Sequence, residues 1–274
     1  MKSKRLFLIG GGLALILASA LAQFLPEELA ERPKWEEWLQ KAKVVASVHM
    51  GGSTAVTEPW KLTLSEGGIT HFGLWKNPEG RLHGYLESWK TEIAGYRMDK
   101  LLGLNMVPPT VERRFQGNRG SVQFWVENRF SLEGMHQAKV EPPESVTPLW
   151  NRAVYLQRAF DNLISNEDRH ARNVLITNDW RMILIDHSRT FRTSKEFTEK
   201  LLYTAHNKEG DRSMKELPRP FVEKIKELTF ESIKAAVAEY LTDDQIKAML
   251  KRRDLIMKDI DDLIQKNGEA NVLY

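Results

Sequence analysis

The order of strand and helix patterns is the feature that most constrains the fold of this 274-residue chain. In the first half, short runs rich in β-branched and aromatic residues predict strands, and one longer amphipathic run predicts a helix at 87–102. The predicted strands are residues 44–50, 60–65, 69–76 and 121–127. The second half has helical spacing, except for one short pair of strands at 174–177 and 181–185. Strands followed by helices predict an α+β fold with two lobes.

The predicted lobes divide the chain at a Pro-rich segment. Residues 23–43 read as a helical lead-in, and residues 44–140 as an N-terminal lobe of antiparallel strands with one helix. Residues 141–274 read as a mainly helical C-terminal lobe. It begins with the N-cap signal Thr147-Pro148 and ends in helices near 219–240 and 243–265.

The first 22 residues have the pattern of an export signal. Lys2, Lys4 and Arg5 precede an apolar run over residues 6–22, and Ala20-Leu21-Ala22 has the small-x-small order that signal peptidases accept. We expect either a cleaved signal peptide or a retained signal-anchor. Both interpretations place the rest of the chain outside the cytoplasm, with membrane contact only through this segment if it stays uncleaved.

The net charge gives no reason to expect a nucleic-acid partner. The chain has 40 basic and 37 acidic residues, a formal charge of +3, and all of that excess lies in residues 1–22. Without them the balance is neutral, so no overall positive field attracts phosphate backbones. Cysteine is absent, which excludes disulfides, zinc held by thiolates and a cysteine nucleophile.

Three oxygen-bearing side chains bracket the predicted strand pair of the second half. Asp168 and Asn173 come just before it, and Asp186 comes directly after it. Phosphoryl transfer uses such a set, because one carboxylate orients the attacking hydroxyl while an amide and a second carboxylate hold Mg²⁺. The alternative is an ordinary polar loop with two turn caps.

The steps of five residues from Asp168 to Asn173 and of thirteen to Asp186 resemble the protein-kinase-like superfamily. The order Asp-Arg-His-x-x-Asn is similar to its atypical branch: phosphatidylinositol 3-/4-kinases, HipA-type kinases and secreted casein-kinase-like kinases. The resemblance implies a kinase-like fold, ATP with Mg²⁺ or Mn²⁺, Asp168 as catalytic base, and Asn173 and Asp186 as metal ligands. His170 is grouped with the catalytic residues, with bracing of the loop as the alternative. His187-Ser188 replaces the usual Phe-Gly, and no Ala-Pro-Glu motif follows.

The resemblance extends upstream to the nucleotide-binding residues. Lys76, at the end of the third strand, lies where the family has its phosphate-binding lysine. Its expected partner is Glu92 on the following helix, with Glu87 as the second choice. Gly51-Gly52-Ser53 lies where a glycine-rich loop would cover the phosphates, although the same residues suit an ordinary turn.

Two functions are compatible with these residues. The first is an atypical kinase that transfers the γ-phosphoryl group of ATP to a hydroxyl of a protein, lipid or small molecule. The second is an exported pseudokinase, a nucleotide- or ligand-binding interaction domain. The intact set of Asp168, Asn173 and Asp186 favours the first function. We interpret the chain as an exported bacterial member, and the scarcity of ATP outside the bacterial cytoplasm favours the second. A eukaryotic source would remove this objection, because secretory compartments import ATP. Arg189 and Arg192, which follow Asp186, could contact a substrate or phosphate.

Overall fold

The structure is a computed structural model that describes residues 24–51, 58–205, 207 and 210–274. The predicted export signal (residues 1–22), Gly52 and Ser53 lie outside the described residues, so these expectations stay predictions. Within the described ranges, no helix is both long and apolar enough to span a membrane.

The lead-in consists of two helices, α1 (Pro26–Ala30) and α2 (Arg32–Lys41). Helix α2 buries Trp38 and Leu39 against the strands that follow. At its end, the carbonyls of Leu39 and Ala42 accept hydrogen bonds from Arg113. These bonds satisfy backbone acceptors that a helix end leaves without an intrahelical partner.

An antiparallel sheet of five strands forms the N-terminal lobe, in the order β1-β2-β3-β7-β6. A separate two-stranded hairpin, β4 with β5, precedes the long helix of this lobe. The strands are β1 (Lys43–His49), β2 (Trp60–Glu66), β3 (Ile69–Lys76), β4 (Glu79–Leu82), β5 (Tyr85–Ser88), β6 (Thr110–Phe115) and β7 (Asn118–Phe124). Because β3 pairs with β7, Lys76 lies opposite Ser121 near the middle of the sheet.

Helix α3 (Trp89–Leu102) follows β5 directly. The Ser88 side chain caps it by accepting a hydrogen bond from the N–H of Lys90, and Gly103 ends it in the left-handed conformation that glycine adopts without strain. The helix therefore starts two residues later than the sequence predicted, and Glu87 lies in β5 instead of on the helix.

The C-terminal lobe is helical around a three-stranded sheet in the order β10-β9-β8. Its elements are β8 (Phe130–Ser131), α4 (Leu132–Gln137), α5 (Thr147–Ile164), β9 (Val174–Ile176), β10 (Met182–Leu184), α6 (Lys195–Thr198), α7 (Arg219–Lys226), α8 (Phe230–Val237) and α9 (Asp243–Asn267). Because β8 pairs with β9, the chain enters this lobe between Phe124 and Phe130. That is earlier than the Pro-rich segment where the sequence placed the boundary.

Buried apolar side chains form two separate clusters. The smaller one joins α2 to the five-stranded sheet and includes Leu39, Leu64 and Val122. The larger one fills the C-terminal lobe, and the apolar residues of α3, such as Ile93 and Met98, belong to it. The mixed helical and antiparallel architecture confirms the predicted α+β class.

Candidate active site

Lys76 is the centre of a buried charge cluster between the lobes. Its Nζ atom is 2.9 Å from Oε1 of Glu92 on α3 and 2.9 Å from Oδ1 of Asp186, which follows β10. Burial would lower the pKa of Lys76, but the two carboxylates outweigh it and raise the pKa. Burial would likewise raise the pKa of Asp186, but Lys76 holds it well below its ordinary value. Both groups are therefore charged at neutral pH.

The second oxygen of Glu92 connects α3 to the residue after Asp186. Oε2 of Glu92 accepts a 2.9 Å hydrogen bond from the backbone N–H of His187. One carboxylate thus fixes both the β3 lysine and the chain around Asp186. The structure brings together Lys76, Glu92 and Asp186, as the resemblance to the kinase-like superfamily implies.

Arg169 organises the loop that carries Asp168. Its guanidinium, 2% exposed, pairs with the buried Asp161 at 3.0 Å and donates to the carbonyls of Asn173 and Ile185. It also lies 3.0 Å from Nε2 of His187. Burial, followed by the charge of Arg169, lowers the pKa of His187 well below its ordinary value. His187 is therefore neutral, and its Nε2 atom accepts the bond from Arg169.

Asn173 is held in place by the loop that it follows. Its Nδ2 atom donates to the carbonyl of Asp168 at 3.1 Å and lies 3.3 Å from Nε2 of His170. With the amide nitrogen engaged, Oδ1 is the atom that Asn173 can offer to a cation. His170 Nε2 is also 3.9 Å from Oδ2 of Asp168. These contacts agree with His170 bracing the loop.

Five of the predicted site residues line one cleft of about 480 Å³: Lys76, Asp168, His170, Asn173 and Asp186. Met50 and Pro59 line it as well, and the N–H of Met50 donates to the Pro59 carbonyl at 2.8 Å. This bond closes the base of the connection between β1 and β2. Gly51, which is exposed, directly follows Met50 in this connection.

The two arginines after Asp186 face different cavities. Arg189 lines the cleft, with Nη1 3.3 Å from Oδ1 of Asp168. Arg192 pairs with Glu167 at 2.5 Å and lines a neighbouring cavity of about 640 Å³. Only Arg189 therefore contacts the predicted catalytic carboxylate.

The residues present fit a divalent cation that arrives with a nucleotide. Asp186 and Asn173 offer a carboxylate and an amide oxygen, hard ligands that Mg²⁺ and Mn²⁺ accept. In the described ranges, no group of three or more His, Cys, Asp or Glu side chains could hold a metal ion. Magnesium is usually held in this way, by one or two carboxylates together with substrate phosphates.

Comparison with solved structures identifies the fold class. The structure of hydra Fam20 with sugar is similar with a TM-score of 0.63 and 14% sequence identity, over 93% of this chain and 95% of that one. The Golgi casein kinase with Mn/ADP bound is similar with a TM-score of 0.62 and 15% identity, over 92% and 80%. No protein-family model matches the sequence, and no curated protein matches it with significance.

The chain therefore has the fold of the atypical kinases, which confirms the predicted two-lobed architecture. At this level of identity the likeness concerns the fold, so the roles of the individual residues rest on the geometry of the site.

Two features of the site were not predicted from the sequence. Arg169 makes five hydrogen bonds to four residues around the loop, and its only signal in the sequence was its place between Asp168 and His170. Glu87 was the second choice as partner of Lys76, but it forms an ion pair with Arg189. That contact joins β5 to the chain after Asp186. The two residues are 102 positions apart in the sequence, so no local pattern reveals the pair.

Proposed function

We propose that this protein is an ATP-dependent phosphotransferase that uses Mg²⁺ or Mn²⁺ and acts on a hydroxyl group. The observation that carries the proposal is the Lys76 cluster, in which one ammonium is 2.9 Å from both Glu92 and Asp186. The cluster opens into the cleft that Asp168 and Asn173 also line. This arrangement supports a site in which a fixed positive charge, a metal-binding carboxylate and a candidate base surround one ligand.

Each residue has a distinct role in this proposal. Lys76 binds the α- and β-phosphates, and Glu92 fixes its position. Asp186 and Asn173 hold the cation, which supplies charge neutralisation at the phosphates. Asp168 accepts the hydroxyl proton. The connection that contains Gly51, Gly52 and Ser53 covers the phosphates. Gln123 of β7 and Trp125, which directly follows β7, line the cleft and flank the adenine.

The fold neighbours support the ligand classes but leave the acceptor open. One neighbour binds Mn and ADP, and the other is a complex with sugar. The acceptor hydroxyl belongs to a protein, lipid or small molecule. We further propose that the domain acts outside the cytoplasm, because of the predicted export signal in residues 1–22.

The decisive experiment measures nucleotide binding and turnover separately. Thermal unfolding and calorimetry with ATP and Mg²⁺ report binding, and release of ADP reports turnover. Asp186→Asn should abolish the metal-dependent part of binding. Asp168→Asn should lower turnover at least a hundredfold, with binding nearly unchanged, since loss of a general base costs about 10²–10⁴.

A matched control is Asp262→Asn, because Asp262 is an exposed aspartate of α9 whose ion-pair partner among the described residues is Lys258. It should leave binding and turnover as in the wild type. Absence of any ATP binding by the wild type would refute the proposed function. Binding without turnover under any condition would instead identify a nucleotide-binding interaction domain.

A further inference from the structure

Arg189 lies in the cleft between two carboxylates. Its Nε atom donates to Oε1 of Glu87, and its Nη1 atom is 3.3 Å from Oδ1 of Asp168. The guanidinium carbon also lies 4.1 Å from the centre of the Tyr85 ring. With 14% of its side chain exposed, Arg189 is held on three sides and still borders the cleft.

Arg189 is the cation that pairs with Glu87, and both residues line the cleft. The side chain of Glu87 is 1% exposed, and Oε2 has no hydrogen-bond partner among the described residues. A buried carboxylate is costly unless a cation pairs with it, and Arg189 supplies that cation. Glu87 engages Nε, whereas Nη1 lies on the side of Asp168, so the N–H groups of Nη1 remain available to a second anion.

We infer that Arg189 binds the γ-phosphoryl group of ATP, and that Glu87 is the positioning residue that holds it there. The inference rests on the proposed function and adds a catalytic residue to it. A base must lie within hydrogen-bond distance of the hydroxyl that attacks the γ-phosphorus. A cation 3.3 Å from Asp168 is therefore within reach of the group in transfer. Arg172, the other arginine that lines the cleft, is exposed and has no such anchor.

The transfer step then has the following balance. The acceptor oxygen forms a bond to the γ-phosphorus, and the bond from that phosphorus to the oxygen bridging the β-phosphate breaks. The electron pair of the broken bond stays on ADP, and the hydroxyl proton passes to Asp168. Arg189 neutralises charge on the transferring oxygens, the use to which arginine is put in many phosphoryl-transfer sites.

The contact with Asp168 couples the base to the nucleotide. While no γ-phosphoryl group is bound, Arg189 pairs with Asp168 and occupies one of its oxygens. When ATP binds, the dianionic γ-phosphoryl group competes for the guanidinium, and Asp168 is released to accept a proton. The base thus becomes available when the group to be transferred is present.

The test compares two ligands that differ in the γ-phosphoryl group. Affinities for ADP and for the non-hydrolysable β,γ-imido analogue of ATP are measured by calorimetry with Mg²⁺. Arg189→Gln should weaken binding of the analogue about tenfold or more, since hydrogen bonds to charged groups are strong. The affinity for ADP should stay within about twofold of the wild-type value. Arg189→Lys should give an intermediate loss, because it keeps the charge and loses the fork geometry.

Two further variants separate this role from a structural one. Arg189→Gln leaves Glu87 buried without a cation, so the double variant Glu87→Gln/Arg189→Gln removes that charge and protects the fold. It should show the same loss of discrimination between the two ligands. Arg192→Gln is the matched control, since Arg192 faces the neighbouring cavity, and it should keep wild-type discrimination.

The possible results are distinct. The inference is wrong, and the proposed function stands, if the wild type binds both ligands and the Arg189 variants weaken the binding of both equally. The same conclusion holds if the variants weaken the binding of neither ligand. If the wild type binds neither ligand, the proposed function fails and this inference fails with it.

Discussion

The buried ion pair between Arg32 of the lead-in and Asp99 of α3 gives a sharp prediction about stability. Nη2 of Arg32 is 2.9 Å from Oδ2 of Asp99, and the two side chains are 9% and 0% exposed. Asp99 also accepts the backbone N–H groups of Met106 and Val107 at 2.7 and 2.9 Å. Asp99 is therefore the point where the lead-in, α3 and the chain after α3 meet.

Removal of one partner leaves the other charge buried without compensation. We expect Arg32→Met and Asp99→Asn each to lower the free energy of unfolding by about 3 kcal/mol or more. The double variant should cost far less than the sum of the two, because it buries no unpaired charge. The coupling energy in this double-mutant cycle should then be about 2–3 kcal/mol.

Urea unfolding of the four proteins, followed by tryptophan fluorescence, measures this cycle. The exposed pair Glu31 and Lys34 on the same segment is the matched control, with side chains about half exposed. The cycle of Glu31→Gln and Lys34→Met should give less than about 1 kcal/mol. If the Arg32 and Asp99 effects add within about 0.5 kcal/mol, the burial argument is wrong.

Three other predictions follow from the charges and the export signal. Arg169→Met should lower the free energy of unfolding, measured by urea unfolding, by about 3–5 kcal/mol, because Asp161 is fully buried and would lose its counter-ion. An effect below about 1 kcal/mol would contradict the view that Arg169 organises this loop. The pKa of Asp186 in the folded protein is lower than its ordinary value of 3.8. Ionised Asp186 therefore stabilises the fold above pH 3.8, and this stabilisation is lost as the pH falls through the folded pKa. Asp186→Asn should therefore flatten the fall of the unfolding temperature below about pH 4, and an unchanged acid profile would count against the Lys76 pairing. Intact-mass measurement of exported protein should show a chain that begins at Gln23, whereas retention of residues 1–22 would support an anchor instead.

The strands and helices with strong periodicity could be predicted from the sequence, and the exposed or short ones could not. Strand β3 has the bounds that the pattern predicts, because apolar side chains recur along it and Gly67-Gly68 begins it with a turn. The β4–β5 hairpin was missed because Glu87 is its single buried residue, so its sequence has no row of apolar side chains to detect. Strand β6 was missed as well, since Pro108-Pro109 ends one pattern just before it.

Some bounds were wrong for reasons of local hydrogen bonding. Strand β7 spans residues 118–124, where the pattern predicted 121–127, because it turns back from β6 at Gln116-Gly117, both at positive φ. The helical pattern predicted over 219–240 is divided into α7 and α8. Thr229 caps α8 with a capping box to Ser232, and a cap requires a break in the preceding helix.

The partners of charged residues were predictable only where the fold class constrains them. The contact between Lys76 and Glu92 agrees with the order strand-then-helix, because a lysine at the end of β3 faces the first turn of α3. The Glu87–Arg189 and Arg32–Asp99 contacts follow from packing between distant segments. Neither residue type nor spacing distinguishes those glutamate, aspartate and arginine residues from ordinary surface charges.

The separation of the apolar side chains into two clusters has a mechanical consequence. Lys76 is attached to the sheet, whose cluster includes its neighbour Trp75, whereas Glu92 is carried by α3, which packs with the C-terminal lobe. A movement that separates the sheet from α3 would stretch the ion pair between Lys76 and Glu92, and it would also act on the buried Arg32–Asp99 pair that joins α3 to the lead-in. The Lys76–Glu92 pair would then resist any widening of the cleft that draws the sheet away from this helix.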